Sequence, residues 1–323
     1  MKYRKLGRTG IELSDIALGL WGMGGWSGSN DEQSLEALQL SVDLGCNFFD
    51  TAWAYSEGKS DGLLGQTLAR NKGTRLYGAS KIPPKNERWP ALSKYKYHDV
   101  FPADHIFKYA DLIRKQLGTD SIDLLQFHVW TDNWADEPDF RKTVETLKEE
   151  GIIRAFGLSL NRWEPENGIR AIRTGLVDSV QVIYSIFDQS PEDELFPACQ
   201  ELNIGVIVRV ALDEGSLGGK MTKEAKFPAT DWRSRYFNPE NLAKTMERVD
   251  KLRQILPPGM PLPELALRFV LSHPAVSTTV VGMRKLQHVR ENTALSDAGV
   301  LPAELLRELK RHRWDRKPAP WSD

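Results

Sequence analysis

Four residues with complementary chemistry stand at or just after the ends of apolar runs. Asp50 closes "FFD", Tyr55 follows in "TAWAY", Lys81 follows "GAS", and His128 follows "LLQF". A phenol with an ordinary pKa of about 10 is a poor proton donor at neutral pH unless a nearby cation stabilises the phenolate. Lys81 could be that cation, and Asp50 could hold its ammonium charged. His128 could hydrogen-bond a substrate oxygen from the other side. Such a group is equipped to protonate a carbonyl oxygen as hydride reaches its carbon. Each residue taken singly has a plainer reading: Asp is common where strands give way to turns, Lys81 could be a solvated strand end, and His128 a core histidine beside Val129 and Trp130.

The elements that must position these residues follow from the apolar pattern. Short apolar runs recur at "IALGL", "CNFFD", "RLYGAS", "IDLLQFH", "IRAFGLS", "VDSVQVIY", "IGVIVRV" and "VSTTVVG", most of them separated by stretches of helical period such as "DEQSLEALQLSVDLG" and "DFRKTVETLKEEG". Eight strands with helical crossovers form either an open doubly wound sheet or a closed (β/α)8 TIM barrel. The count favours closure, and no GxGxxG follows the first strand, since the glycines of "GLWGMGG" have the wrong spacing. The expectation is a single barrel domain over residues 1–323, preceded by a small β-hairpin in "YRKLGRTGIELS". Asp31 and Asp104 are expected to cap helix starts, with Gly45, Gly118 and Gly151 in left-handed conformations where helices end. The aperiodic stretch from Asp213 to about Asn238 is expected to be a long loop over the C-terminal mouth. Asp50, Lys81, His128, Ser159, Arg209 and Arg284 all fall at or near carboxyl ends of strands or just beyond, the face where barrel active sites are built.

Composition narrows the partners. Lys and Arg number 43 against 44 Asp and Glu, with no long run of either sign, so neither nucleic acid nor an anionic membrane is indicated and a small molecule is expected. "MKYRKLGRTG" has no apolar stretch of signal-peptide length, no run approaches a membrane span, and Cys46 and Cys199 form no CxxC pair; the protein is expected to be cytoplasmic with structural thiols. The six histidines form neither HxH nor HxxxH, so no metal site is expected.

The motif "DTAWAY", of the form D-x-A-x-x-Y, with "GASK" and "QFHVW", resembles the aldo-keto reductase family, and the resemblance runs from "YRKLGRTGIELS" to "VRENTALSD". It implies a (β/α)8 barrel closed at its bottom by the hairpin, with Asp50, Tyr55, Lys81 and His128 as the catalytic tetrad and Tyr55 as general acid. It further implies a nicotinamide cofactor bound extended across the mouth. Gln181 would meet the carboxamide, Gly22 and Met23 the nicotinamide ribose, and Leu212, Gly215, Ser216, Leu217 and Lys220 of "LDEGSLGGK" the pyrophosphate. In "VVGMRKLQHVRENTA" the adenosine end would lie against Gly282, Arg284, His288, Glu291 and Asn292, with Arg284 on the 2′-phosphate, favouring NADP(H) over NAD(H).

The sequence departs from that pattern twice. "GLSLNRW" inserts Leu160 between Ser159 and Asn161, so Asn161 would need a local backbone shift to reach the carboxamide. Arg209 stands where relatives often place an aromatic ring that stacks on the nicotinamide; a planar guanidinium can stack too, and an ion-pair partner in the barrel core is the competing reading. Trp21 and Trp130 are expected to wall the substrate pocket with Tyr55 and His128. The tail "HRWDRKPAPWSD" either wraps the barrel or borders that pocket. The function implied is reversible, NADPH-dependent reduction of an aldehyde or ketone; a regulatory or nucleotide-sensing NADP(H)-binding protein on the same fold is the alternative.

Overall fold

The computed structural model describes residues 1–25 and 28–317. Strands β1 (Tyr3–Lys5) and β2 (Glu12–Ser14) form an antiparallel hairpin. Eight parallel strands then close on themselves: β3 (Ile16–Gly19), β4 (Phe48–Asp50), β5 (Tyr77–Ile82), β6 (Ile122–Phe127), β7 (Ile153–Ser159), β8 (Ser179–Ile183), β9 (Gly205–Arg209) and β10 (Val276–Gly282). Each pairs with the next, and β10 pairs with β3 to seal the ring. This is a (β/α)8 TIM barrel, and all eight apolar runs of the sequence supply one strand each.

Side chains alternate across each strand, and this parity divides the barrel wall. Ala17, Phe48, Ala79, Leu124, Ala155 and Ile207 point inward and pack with Leu6, Ile11 and Leu13 of the hairpin, which thereby plugs the bottom. A fully buried Leu or Phe side chain contributes roughly 1.5–3 kcal/mol, so apolar burial ties the hairpin to the barrel. Gly205 permits the close fit, because a Cβ there would lie 2.4 Å from a Leu6 methyl. Leu18, Phe49, Leu125, Phe156, Val206 and Val208 face outward into the larger cluster beneath the helices. Two or four residues beyond the inward apolar set, the same parity brings Asp50, Lys81, Gln126, His128, Ser159 and Arg209 to the opposite, C-terminal mouth.

Helix boundaries differ from expectation at two starts. Asn30 caps helix Asp31–Asp43, accepting from Gln33 N at 3.0 Å, and Asp31 is the first helical residue. Helix Ala103–Leu117 follows Pro102, with Asp104 in its first turn, where its charge favours the helix dipole without capping. Gly45, Gly118 and Gly151 take φ of 92°, 64° and 68°, as expected. The stretch after β9 contains a 3-10 turn, Asp213–Gly218, and a short helix, Arg233–Tyr236, between irregular segments. Its Trp232 reaches Trp21 across the mouth with ring centroids 6.1 Å apart. The tail wraps the barrel: Trp314 N donates to Phe187 O at 2.7 Å and Arg316 is buried, while residues 318–323 lie outside the described residues. Among the described residues no helix is long and apolar enough to cross a membrane.

Candidate active site

Parallel register carries Asp50 and Lys81 to the mouth on adjacent strands, with Gly19 beside Asp50 and Gln126 beside Lys81. Lys81 Nζ donates to Asp50 Oδ2 at 2.6 Å and to Thr51 O at 2.8 Å. The other carboxylate oxygen of Asp50 accepts from Gln181 Nε2 at 2.8 Å and Gln126 Nε2 at 3.2 Å. The ion pair is buried yet hydrogen-bonded on both sides, the condition under which a desolvated pair persists. Burial pushes the Lys81 ammonium down, but Asp50 and Tyr55 outweigh it and hold it above its ordinary value.

Tyr55 sits in the turn after β4, its N–H bonded to Ala52 O at 2.9 Å. The chain after β3 presses against it: a Cβ on Gly24 would lie 2.9 Å from the Tyr55 carbonyl oxygen. Lys81 Nζ is 5.2 Å from the Tyr55 ring centroid. Burial raises the phenol, and Lys81 is the main influence drawing it back. His128 continues β6, its N–H bonded to Ile82 O at 3.1 Å, and its ring meets Tyr55 edge to face at 5.8 Å. Burial, then Lys81 and Arg209, depress its pKa well below the usual value, so the imidazole is neutral near pH 7. Among the described residues its buried Nδ1 has no hydrogen-bond partner.

Tyr55, His128, Gln181, Ser159 and Arg209 line one cavity of about 210 Å³, together with Trp89, Pro90, Val129, Leu160, Asn161 and Arg162. Five inward-facing residues that are far apart in sequence thus converge. Trp89 stands edge to face with His128 at 5.9 Å. Little in the sequence marks Trp89 and Pro90, because "NERWPA" is polar and aperiodic. Their tether is Asn161, whose amide accepts from Ala91 N at 3.3 Å and donates to Ala91 O at 2.8 Å and Glu164 Oε2 at 2.8 Å. Behind the inserted Leu160, the Asn161 amide is thus engaged by the loop after β5 while it also lines the cavity.

Trp130, expected in the pocket wall, is placed beneath the cavity. It is fully buried, bonded through Nε1 to Asp132 Oδ1 at 2.9 Å and packed on Trp134 and Phe140, so it belongs to the aromatic core under the rim. Trp21 lies on the rim, 41% exposed and against Trp232, outside the cavity wall.

Gly22 and Met23 form a 3-10 turn after β3, with the Met23 side chain buried, so a ligand would meet that residue through its backbone. In the 3-10 turn after β9, Ser216 and Leu217 are buried, and Ser216 Oγ donates to Asp213 Oδ2 at 2.5 Å. Gly215 takes φ 101° and Leu212 is half-buried, while Lys220 is exposed beyond the turn. Left-handed residues in succession, Asp213 to Gly215, make the kind of tight turn that can bring backbone N–H groups to a phosphate. Beyond β10, Gly282 and Glu291 are exposed, Arg284 and His288 half-buried, and Asn292 buried. Burial and then the Arg233 guanidinium push Arg284 down, while Asp231, paired with Arg233 at 2.6 Å, acts the other way. The donor set along this path, from a carboxamide-lined cavity through a glycine turn to an arginine, fits an extended dinucleotide.

A family model described as "Aldo/keto reductase family" matches residues 15–313, so the chain belongs to the aldo-keto reductase family of oxidoreductases. It is similar to the oxidoreductase YqkF of Bacillus subtilis, 29% identical over 315 residues covering 97% of this chain and 96% of that one. It is equally similar to an NADH-specific methylglyoxal reductase of Escherichia coli, 29% identical over 331 residues covering 96% and 98%. Among solved structures, the holo form of aldo-keto reductase AKR11C1 from Bacillus halodurans superposes over 100% of both chains with a TM-score of 0.78 and 25% identity.

Proposed function

We propose that this protein is an NADP(H)-dependent reductase of aldehyde or ketone carbonyls, reversible in principle, with Tyr55 as the proton donor. The observation that carries the reading is the buried Lys81–Asp50 pair beside a phenol and a neutral imidazole on one cavity. A bound nicotinamide would supply hydride to the carbonyl carbon. As the C=O π pair moves to oxygen, Tyr55 gives that oxygen its hydroxyl proton, and the phenolate left behind is stabilised by Lys81. Asp50 keeps the ammonium charged and oriented. His128, held neutral, donates an N–H to the same oxygen and fixes the direction of the carbonyl. Trp89, Pro90 and Val129 exclude water on the open side.

Gln181 spends Nε2 on Asp50, which leaves its carbonyl oxygen to accept from a carboxamide N–H, with Ser159 beside it. The backbone at Gly22 and Met23 would meet the ribose, and Leu212, Gly215, Ser216, Leu217 and Lys220 the pyrophosphate. Gly282, Arg284, His288, Glu291 and Asn292 would hold the adenosine end, and Arg284 supports NADPH over NADH.

The test is NADPH absorbance over a panel of aldehydes and ketones, for the wild type and Tyr55→Phe. The variant keeps the ring but lacks the proton, so turnover is expected to fall by roughly two to four powers of ten with NADPH affinity nearly unchanged. Near wild-type turnover would sink the role of Tyr55. Tight NADPH binding by the wild type with no turnover of any carbonyl would favour a nucleotide sensor.

A further inference from the structure

Gln126 is the inward residue on β6 two places beyond Leu124 of the barrel plug, with Lys81 beside it on β5 and Gly157 on β7. It is fully buried and stands below the cavity wall rather than in it. Its side chain reaches past Lys81 to the next strand but one, where Nε2 donates to Asp50 Oδ1 at 3.2 Å. The same oxygen accepts from Gln181 Nε2 at 2.8 Å, so carboxamides from β6 and β8 grip one oxygen while Lys81 takes the other at 2.6 Å. Gly157 makes the room: a Cβ there would lie 3.2 Å from Gln126 Cγ and 2.5 Å from Ser179 Oγ. Among the described residues the buried Oε1 of Gln126 has no hydrogen-bond partner. A buried amide satisfied at one end only is less favourable than an aliphatic chain of similar size, so packing alone does not account for a polar residue here.

We propose that Gln126 is a positioning residue for proton transfer: by sharing Asp50 Oδ1 with Gln181 it draws part of the carboxylate's charge away from Lys81, so the ammonium stays fixed yet remains available to the phenolate that Tyr55 becomes. The proposal rests on the carbonyl-reductase reading and adds a residue to its machinery. An Asp50 with no donor on its far oxygen would concentrate its charge on Lys81, and the pair would present little positive field to the phenol. Each amide N–H adds the positive end of a dipole beyond the carboxylate, which stabilises the charge on Asp50 and the charge that develops on Tyr55. In that reading Gln181 is shared with the nicotinamide carboxamide, whereas Gln126 serves Asp50 alone. The other titratable or charged groups that bear on the pair are Tyr55, Arg209 and His128 at the cavity and Asp61 on the helix behind β5, and substitutions at Gln126 leave all four in place.

The experiment follows NADPH oxidation by a reducible aldehyde or ketone from pH 5 to 9 in the wild type, Gln126→Met and Gln126→Glu. Single-turnover rates keep cofactor release from masking the chemical step, and KM and NADPH affinity are measured beside them. Gln126→Met fills the same space without a donor, so the rate should fall roughly tenfold at every pH, with KM and NADPH affinity nearly unchanged. In Gln126→Glu the introduced carboxyl can donate to Asp50 only while protonated. Its rate should be near that of the wild type at pH 5 and fall to the level of Gln126→Met or below as pH rises, because two carboxylates on one site resist joint ionisation and the second charge opposes the phenolate. A wild-type rate in Gln126→Met, or a Gln126→Glu profile parallel to that of the wild type, overturns the proposal. If Gln126→Met does not fold, Gln126→Glu decides; if neither folds, the residue is structural and the proposal is overturned. If no carbonyl of any kind is reduced, the parent reading has failed, and urea unfolding decides the hold on Asp50. The introduced carboxyl should keep its proton in the folded chain, so the stability of Gln126→Glu relative to the wild type is greatest below its unfolded pKa of about 4.3 and declines as pH rises. That decline should largely vanish in an Asp50→Asn background, where Lys81 pairs with the introduced carboxylate. An equal decline in both backgrounds overturns the proposal.

Discussion

Asp61, on the helix behind the Lys81–Asp50 pair, is a buried acid that forms no ion pair among the described residues. Its Oδ1 accepts from Ser80 Oγ at 2.6 Å, and its buried Oδ2 has no hydrogen-bond partner among those residues. Burial raises its pKa from 3.8 to about 7. Because the folded pKa lies above the unfolded one, the folded chain holds a proton that the unfolded chain has lost between those values. The stabilising contribution is therefore complete below about pH 4 and declines as pH rises towards 7. Asp61→Asn keeps the shape without the proton, so it should match the wild type near pH 4 and exceed it by roughly a few kcal/mol at pH 8. Urea unfolding at the two pH values reads this directly; equal pH slopes in both proteins would move the ionisation elsewhere.

In the proposed reading, the segment after β10 carries the choice of cofactor. If Arg284 grips the 2′-phosphate, Arg284→Ala should weaken NADPH by roughly one to two powers of ten while sparing NADH, since a charge-assisted bond is worth about 1.5 to 3 kcal/mol. Paired fluorescence titrations measure it. Equal losses would assign Arg284 to the part the cofactors share, and no loss for either would remove it from the site. Elements of this kind were legible because strand parity, strand count and strand-end polar residues are local patterns: Asp50, Lys81, His128 and Arg209 could be aligned from the sequence alone. What escaped was tertiary. Trp130 follows β6 as plausibly as any pocket residue, and only packing on Phe140 and Trp134 puts it in the core. Trp89 enters the cavity because Asn161, 70 residues distant from Ala91, clamps that loop. The sequence registered both departures, Leu160 and Arg209, but not that the carbonyl of one holds the guanidinium of the other.

Across the whole molecule, the last described turn of chain reaches back into the expected cofactor loop. Arg316 pairs with Asp188, with Asp213 at 2.7 Å and with the Tyr236 hydroxyl at 2.9 Å, all buried. Removing one member of a buried ion cluster typically costs about 3–5 kcal/mol. Arg316→Met should therefore lower the melting temperature and, by freeing Asp213, weaken NADPH binding; unchanged affinity in a folded variant would separate the arm from the loop. The barrel wall carries a different kind of constraint. Each inward column places a plug residue and a mouth residue on one parity, as in Phe48 and Asp50, Ala79 and Lys81, or Ile207 and Arg209. A single added or deleted codon between members of such a pair would turn one of them to the outer face, so the gene can gain and lose residues in its rim loops but scarcely at all within the last half of these strands.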